Sequence, residues 1–136
     1  MVENVPPAQV WKALNEDPQA QLVDVRTEPE WAYVGLPDLS AAGKKPLLIS
    51  WQIFPTMQLN AAFVGQMRDA GLDEAHRIFF LCRSGVRSLA AARAAIEAGF
   101  PSAFNIADGF EGPPNEHGHR GTVSGWKADK LPWRRR

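Results

Sequence analysis

Short apolar runs and stretches with helical spacing take turns along this chain. The clearest run is Arg77-Ile78-Phe79-Phe80-Leu81, with no polar residue between its apolar positions. Such a run is buried on both faces, as a central strand of a parallel sheet is. Gln21-Leu22-Val23-Asp24-Val25, Leu47-Leu48-Ile49 and Ala103-Phe104-Asn105-Ile106 read as further strands, and Glu3-Asn4-Val5 as a short edge strand. Between them the apolar spacing turns helical. A helix enters at Pro7 with a Val10, Trp11 and Leu14 stripe and stops before Pro18. Thr27 caps a short helix through Glu30-Trp31. Asn60 caps another that runs to about Ala70, with Ala62, Phe63, Met67 and Ala70 on its apolar face. The alanine-rich stretch from about Val86 to Ala98, closed by Gly99, is the strongest helix signal. Residues 35–46 read as loop. Residues 109–136 hold five glycines and three prolines and read as a surface wrap. Strands alternating with helices predict one three-layer α/β domain over 1–136 with a mostly parallel sheet.

Composition narrows the class. A chain of 136 residues with 45% hydrophobic and 22% charged residues can bury a core, which excludes wholesale disorder. One cysteine excludes an internal disulfide, and no apolar run approaches a bilayer span. The N-terminus lacks a basic start followed by an apolar stretch, so the cytoplasm is the default compartment. Net charge is zero but unevenly spread. Residues 1–40 carry two basic and seven acidic groups, and residues 120–136 six basic and one acidic. The final three arginines are too few for a phosphate-tracking surface and read as a solvated terminus, with no nucleic-acid partner.

Ligands of open α/β sheets bind beyond the carboxyl ends of the strands. Two polar segments fall there: Asp24-Val25-Arg26, and Cys82-Arg83-Ser84-Gly85-Val86-Arg87-Ser88. The second breaks a local rule, since Arg87 sits in a helix first turn where the dipole disfavours a cation. Such conflicts mark functional sites. A glycine that lets loop amides point inward, a helix N-terminus and the guanidiniums of Arg83 and Arg87 together form a receptor for an oxyanion. The same field favours a thiolate at Cys82, on the receptor's floor.

That segment resembles the active-site loop of single-domain rhodanese sulfurtransferases. In the same order, Asp24-Val25-Arg26 with Glu30-Trp31, Asp108-Gly109-Phe110, and Gly125-Trp126 with Leu131-Pro132 resemble further family signatures. The resemblance implies a rhodanese-like three-layer fold, with a five-stranded, mainly parallel sheet flanked by helices. It implies that the Cys82 thiolate takes the outer sulfur of thiosulfate or a similar small anionic donor. An external thiol or cyanide then removes the sulfur from the Cys82 persulfide, with no metal or organic cofactor and no membrane. Arg83 and Arg87 would hold the donor, the amides from Arg83 to Ser88 (Gly85 and Val86 included) would cradle the persulfide, and Ser84 and Ser88 would bond near the sulfur. Two alternatives stay open: a cysteine-based phosphatase or arsenate reductase on a related loop, and a non-catalytic binding module. Cys82 to Arg87 spans C-x4-R, whereas cysteine phosphatases use a longer C-x5-R, which favours sulfur transfer. The family's histidine-containing run is absent from Val34–Leu39, and residues 113–124 exceed what the compact family needs.

The remaining candidates take supporting roles. Asp24 positions the neighbouring loop, and Arg26 pairs with Glu30. His117-Gly118-His119 is a poor chelate without further ligands. Trp51, Phe54 and Met57 either line the mouth of the pocket or cover the sheet, with packing the favoured reading, and Trp31, Trp126 and Trp133 anchor the termini by packing.

Overall fold

The computed structural model describes residues 2–136. In chain order the elements are β1 (Glu3–Val5), α1 (Pro7–Glu16), β2 (Ala20–Asp24), α2 (Glu28–Tyr33), β3 (Leu36–Pro37), a 3₁₀ turn (Ser40–Ala42) and β4 (Leu47–Leu48). There follow β5 (Gln52–Ile53), β6 (Gln58–Leu59), α3 (Phe63–Asp69), β7 (Arg77–Leu81), α4 (Val86–Glu97), β8 (Ala103–Ile106) and β9 (Trp133–Arg134). Five strands form one sheet in the order β1-β8-β7-β2-β4, and every pairing in it is parallel. The predicted fold class is the observed one.

The apolar run on β7 explains the layers. Ile78 and Phe80 face a core made with Phe63 and Met67 of α3 and Ala91, Ala92 and Ala95 of α4. Phe79 and Leu81 face the opposite core, with Val10 and Leu14 of α1, Phe110 and Trp126. Side chains alternate across a strand, so a strand without polar positions must be covered on both sides. Because the strands are parallel, the ends of β2, β7 and β8 open at one edge of the sheet, where Asp24, Cys82 and Asp108 lie.

Several elements differ from expectation. The predicted buried strand at Leu47–Ile49 is a two-residue edge strand with Leu47 and Leu48 half-buried. Helix α3 begins at Phe63, because Asn60 instead opens a turn by accepting the Ala62 N–H at 3.0 Å. Ala62 and Ala70 become the end caps and are exposed, leaving Phe63 and Met67 as the buried face. The predicted loop at 35–46 contains β3 and the 3₁₀ turn.

The closing segment is more than a surface wrap. Phe110 and Trp126 are fully buried, and Trp126 Nε1 donates to the Pro132 carbonyl at 2.7 Å. β9 pairs antiparallel with β3, and Trp133 stands edge-on to Phe110. The tail is not simply solvated: Arg135 donates to the Tyr33 carbonyl and Arg136 pairs with Glu28 at 2.8 Å, so it lies along α2. Trp51 packs edge-on against Phe63, but Phe54 and Met57 do not cover the sheet. They are exposed on the β5–β6 hairpin, whose ends are already hydrogen-bonded to each other. Asn115 Oδ1 accepts the backbone N–H groups of both His117 and His119, so that segment is an asparagine-centred turn. Among the described residues no helix is long and apolar enough to cross a membrane.

Candidate active site

Strand β7 ends at Leu81, and helix α4 starts at Val86. The chain turns between them in four residues, Cys82 to Gly85. Gly85 closes the turn at φ 113°, a left-handed conformation that a side chain would strain. That turn brings the Gly85 N–H to 3.0 Å from Cys82 Sγ. One helical turn on, Ser88 Oγ lies 3.2 Å from the same sulfur. Cys82 is 1% exposed, so the sulfur is the floor of the loop rather than its rim.

The loop is held from behind by the first residues after β8. The Cys82 carbonyl accepts the Phe110 N–H at 2.8 Å, and the Arg83 carbonyl accepts those of Glu111 and Gly112 at 3.0 and 3.1 Å. Backbone, not side chain, makes this contact.

The predicted site residues split into three groups. Cys82, Gly85 and Ser88 come together at the sulfur. Arg83 and Val86 point outward and are exposed, with Ser84 half-buried beside them. Arg87 is occupied: its guanidinium makes a two-pronged pair with Glu30, at 2.7 and 2.9 Å.

This corrects the expected Arg26–Glu30 pair. Arg26 instead binds Asp24 through Nε at 2.9 Å and Nη2 at 2.7 Å, and it also donates to the Gly35 carbonyl. Asp24 and Arg26 are two residues apart at a strand end, so both side chains leave on one face and meet at once. Both are 0% exposed. The Arg26 guanidinium lies over the Phe110 ring at 4.4 Å. Asp24 therefore bonds to no loop residue itself and braces the loop through Arg26 and the Phe110 segment.

Glu30 has two tasks. As the third residue of α2 it completes a capping box with Thr27, and its carboxylate also meets Arg87 from α4. Burial pushes its pKa up, but the hydrogen bonds and charge of Arg87 outweigh this and hold it below the ordinary 4.5. Arg87 is raised in turn, first by its hydrogen bond to Glu30, against its own burial, with Cys82 and Asp24 adding charge. A carboxylate held low contributes stability above its unfolded pKa and loses it as pH falls through the folded value. Urea midpoints followed from neutral pH to below 4.5 are therefore expected to fall less steeply in Glu30→Gln than in the parent. Parallel curves would mean that the pair does not couple to folding.

Sequence reasoning missed one residue at the sulfur. Asn105 on β8 is 4% exposed and bonds Ser88 Oγ at 2.5 Å. The signal was present: it is the one polar side chain in Ala103-Phe104-Asn105-Ile106.

A family model described as STR4 middle domain matches residues 4–136. The chain belongs to this family. An uncharacterized protein of Rickettsia rickettsii is 39% identical to this chain over 133 residues, covering 97% of each. The crystal structure of Rv0390 from M. tuberculosis is 43% identical, covers 99% of this chain and 98% of its own, and superposes with a TM-score of 0.89. The polysulfide-sulfur transferase homodimer of Wolinella succinogenes is 22% identical, over 99% of this chain and 80% of its own, at a TM-score of 0.68. The fold of this chain is rhodanese-like, the architecture its sequence resembles.

Proposed function

We propose that this chain is a sulfurtransferase that carries a sulfane sulfur on Cys82. The observation that supports this reading most is the seat of the sulfur. Cys82 Sγ sits at the N-terminus of α4, facing an amide and a hydroxyl, in a loop one residue shorter than the C-x5-R of cysteine phosphatases. The Gly85 N–H aimed at the sulfur stabilises charge on it, as an oxyanion hole does for oxygen, and the Ser88 hydroxyl stands within reach to add to it.

In the first half-reaction the Cys82 thiolate attacks the outer sulfur of thiosulfate or a similar anionic donor. The new S–S bond forms as the donor's own breaks, and sulfite leaves with the electron pair. The persulfide keeps one negative charge on its outer sulfur. In the second half-reaction cyanide or an external thiol takes that sulfur, and the thiolate returns. The covalent intermediate dictates ping-pong kinetics. With one cysteine in the chain the acceptor must come from outside. A reducing compartment such as the cytoplasm keeps a lone thiol available.

The two loop arginines divide the work. Arg87 is neutralised by Glu30 and ties α4 to α2. Arg83 is exposed, and among the described residues no carboxylate pairs with it, so it is the cation that meets the donor. Arg83→Ala is expected to raise the KM for thiosulfate roughly 2–5-fold, the scale of an exposed charge contact, with the urea midpoint unchanged.

Intact-mass spectrometry after thiosulfate tests the proposal. The parent is expected to gain one sulfur atom, which cyanide removes, and Cys82→Ser to gain none. No adduct with thiosulfate or 3-mercaptopyruvate, or hydrolysis of an aryl phosphate in its place, would overturn it.

A further inference from the structure

We infer that Asn105 is a positioning residue that competes with Cys82 for the single proton of the Ser88 hydroxyl. The inference rests on Cys82 being the reactive thiol. It is carried by the orientation of one buried amide.

The Asn105 side chain makes three hydrogen bonds. Nδ2 donates to the Gly85 carbonyl at 3.2 Å and to Asn4 Oδ1 on β1 at 2.8 Å. A carbonyl only accepts, so the amide nitrogen must face Gly85 and Oδ1 must face Ser88. Oδ1 cannot donate, so the 2.5 Å contact to Ser88 Oγ holds the serine's own proton. Ser88 Oγ then presents lone pairs to Cys82 Sγ, 3.2 Å away. This arrangement suits a protonated thiol, whose S–H donates to Ser88.

Loss of that proton to solvent changes the need. A thiolate has nothing to donate and calls for a donor, and rotation of the Ser88 hydroxyl supplies a second one beside the Gly85 N–H. The rotation strips the buried Asn105 Oδ1 of its partner, which opposes it. In the persulfide the charge moves to the outer sulfur, Sγ becomes neutral, and the proton returns to Asn105. Ser88 therefore supports Sγ when it attacks and when it leaves, and withdraws in between. Asn4 and the Gly85 carbonyl make this work by preventing the amide from flipping.

The less exposed charges near the sulfur are fixed in two pairs and the others face solvent, which leaves this hydroxyl as the movable element. From α4, Arg87 is bound to Glu30 of α2, and from β2, Asp24 is bound to Arg26. Arg83 in the loop and Asp108 after β8 are exposed to solvent. Strand β8 itself brings no charge.

The test is an ultraviolet titration of the thiolate, read as the difference from Cys82→Ser; a single cysteine gives a single signal. It needs no sulfur donor. Ser88→Ala is expected to move the midpoint alkaline, and Asn105→Leu to move it acidic, each by about half to one pH unit. In the Ser88→Ala background, Asn105→Leu is expected to move nothing, because no proton remains to compete for. If Asn105 only held the loop, its replacement would shift the midpoint alkaline or not at all, and equally in both backgrounds, which overturns the inference. Should Asn105→Leu lose its circular dichroism spectrum, Asn105→Ala takes its place. Should that fail too, Ser88→Ala decides, and an unmoved midpoint overturns the inference. Persulfide loading is scored separately. A non-additive cycle without loading sinks sulfur transfer and leaves the proton competition standing; loading with an additive cycle does the reverse.

Discussion

Asp24→Ala is expected to destabilise the fold by about 3–5 kcal/mol, the cost of stranding one member of a buried ion pair. Arg26 has no exposed surface, and Asp24 provides two of its three hydrogen bonds. Its Nη1 has no hydrogen-bond partner and is served only by the Phe110 ring beneath the guanidinium. Removing the carboxylate leaves a buried cation without its bonded partner. Domains of this size hold only about 5–15 kcal/mol in reserve, so the variant sits near the edge of folding. Urea unfolding at neutral pH measures the loss. Asp24→Asn keeps the shape and one acceptor and should fall between parent and alanine variant. A loss below about 1 kcal/mol for alanine would place Asp24 among exposed salt bridges.

Gly109→Ala should damage the site more than its size suggests. Gly109 has φ 63°, and a Cβ there would meet Cys82 O at 2.5 Å, Arg83 O at 2.6 Å and the Arg83 carbonyl carbon at 2.7 Å. All three are backbone atoms, so nothing flexible can yield. The left-handed conformation costs roughly 1–2 kcal/mol for an L-residue and the crowding about 1–3 more. Relief comes only by pushing away the peptide that carries Cys82. A shift near 1 Å at a reacting group costs on the order of a hundredfold in rate. Persulfide loading, followed by intact mass against time, should slow by at least about tenfold. Gly118→Ala is the control, with φ 81° and nothing within 4 Å of its Cβ. It carries the conformational strain without the collision and should load normally. Equal loading in the two variants would show that the loop does not depend on its backing segment.

The fold was legible wherever burial wrote a pattern into single elements. Arg77–Leu81, with four apolar residues in a row, had to be central, and the breakers at Pro6-Pro7, Gly71 and Gly99 mark helix ends. The edge was harder. Leu47-Leu48 looks like a buried strand because its residues are apolar, yet it stands last in the sheet with only one neighbour. In the closing segment Trp126 packs as expected, but glycine and proline content describes backbone freedom and says nothing of where Phe110 is buried. At the site, Cys82, Gly85 and Ser88 were legible because they are close in sequence. Partner choice was not. Arg26 lies four residues from Glu30 and Arg87 lies 57 away, yet the distant one makes the pair. Asn105 was hidden for the same reason, since its partners come from α4, the loop and β1.

The parallel pairing of β1 with β8 also bears on the order of assembly. Asn4 and Asn105 are 101 residues apart in the chain and adjacent in the sheet. During synthesis β1 emerges first and has no partner until nearly the whole sheet has been made. Contacts closed over such distances slow folding, because loop entropy is lost before the contact rewards it. The amide that governs Ser88 is oriented by this late pairing. The reactive loop is thus expected to reach its final hydrogen bonding only when the oldest and one of the youngest strands meet, and a nascent chain short of β8 to display Cys82 and Ser88 without the amide that competes for the hydroxyl proton.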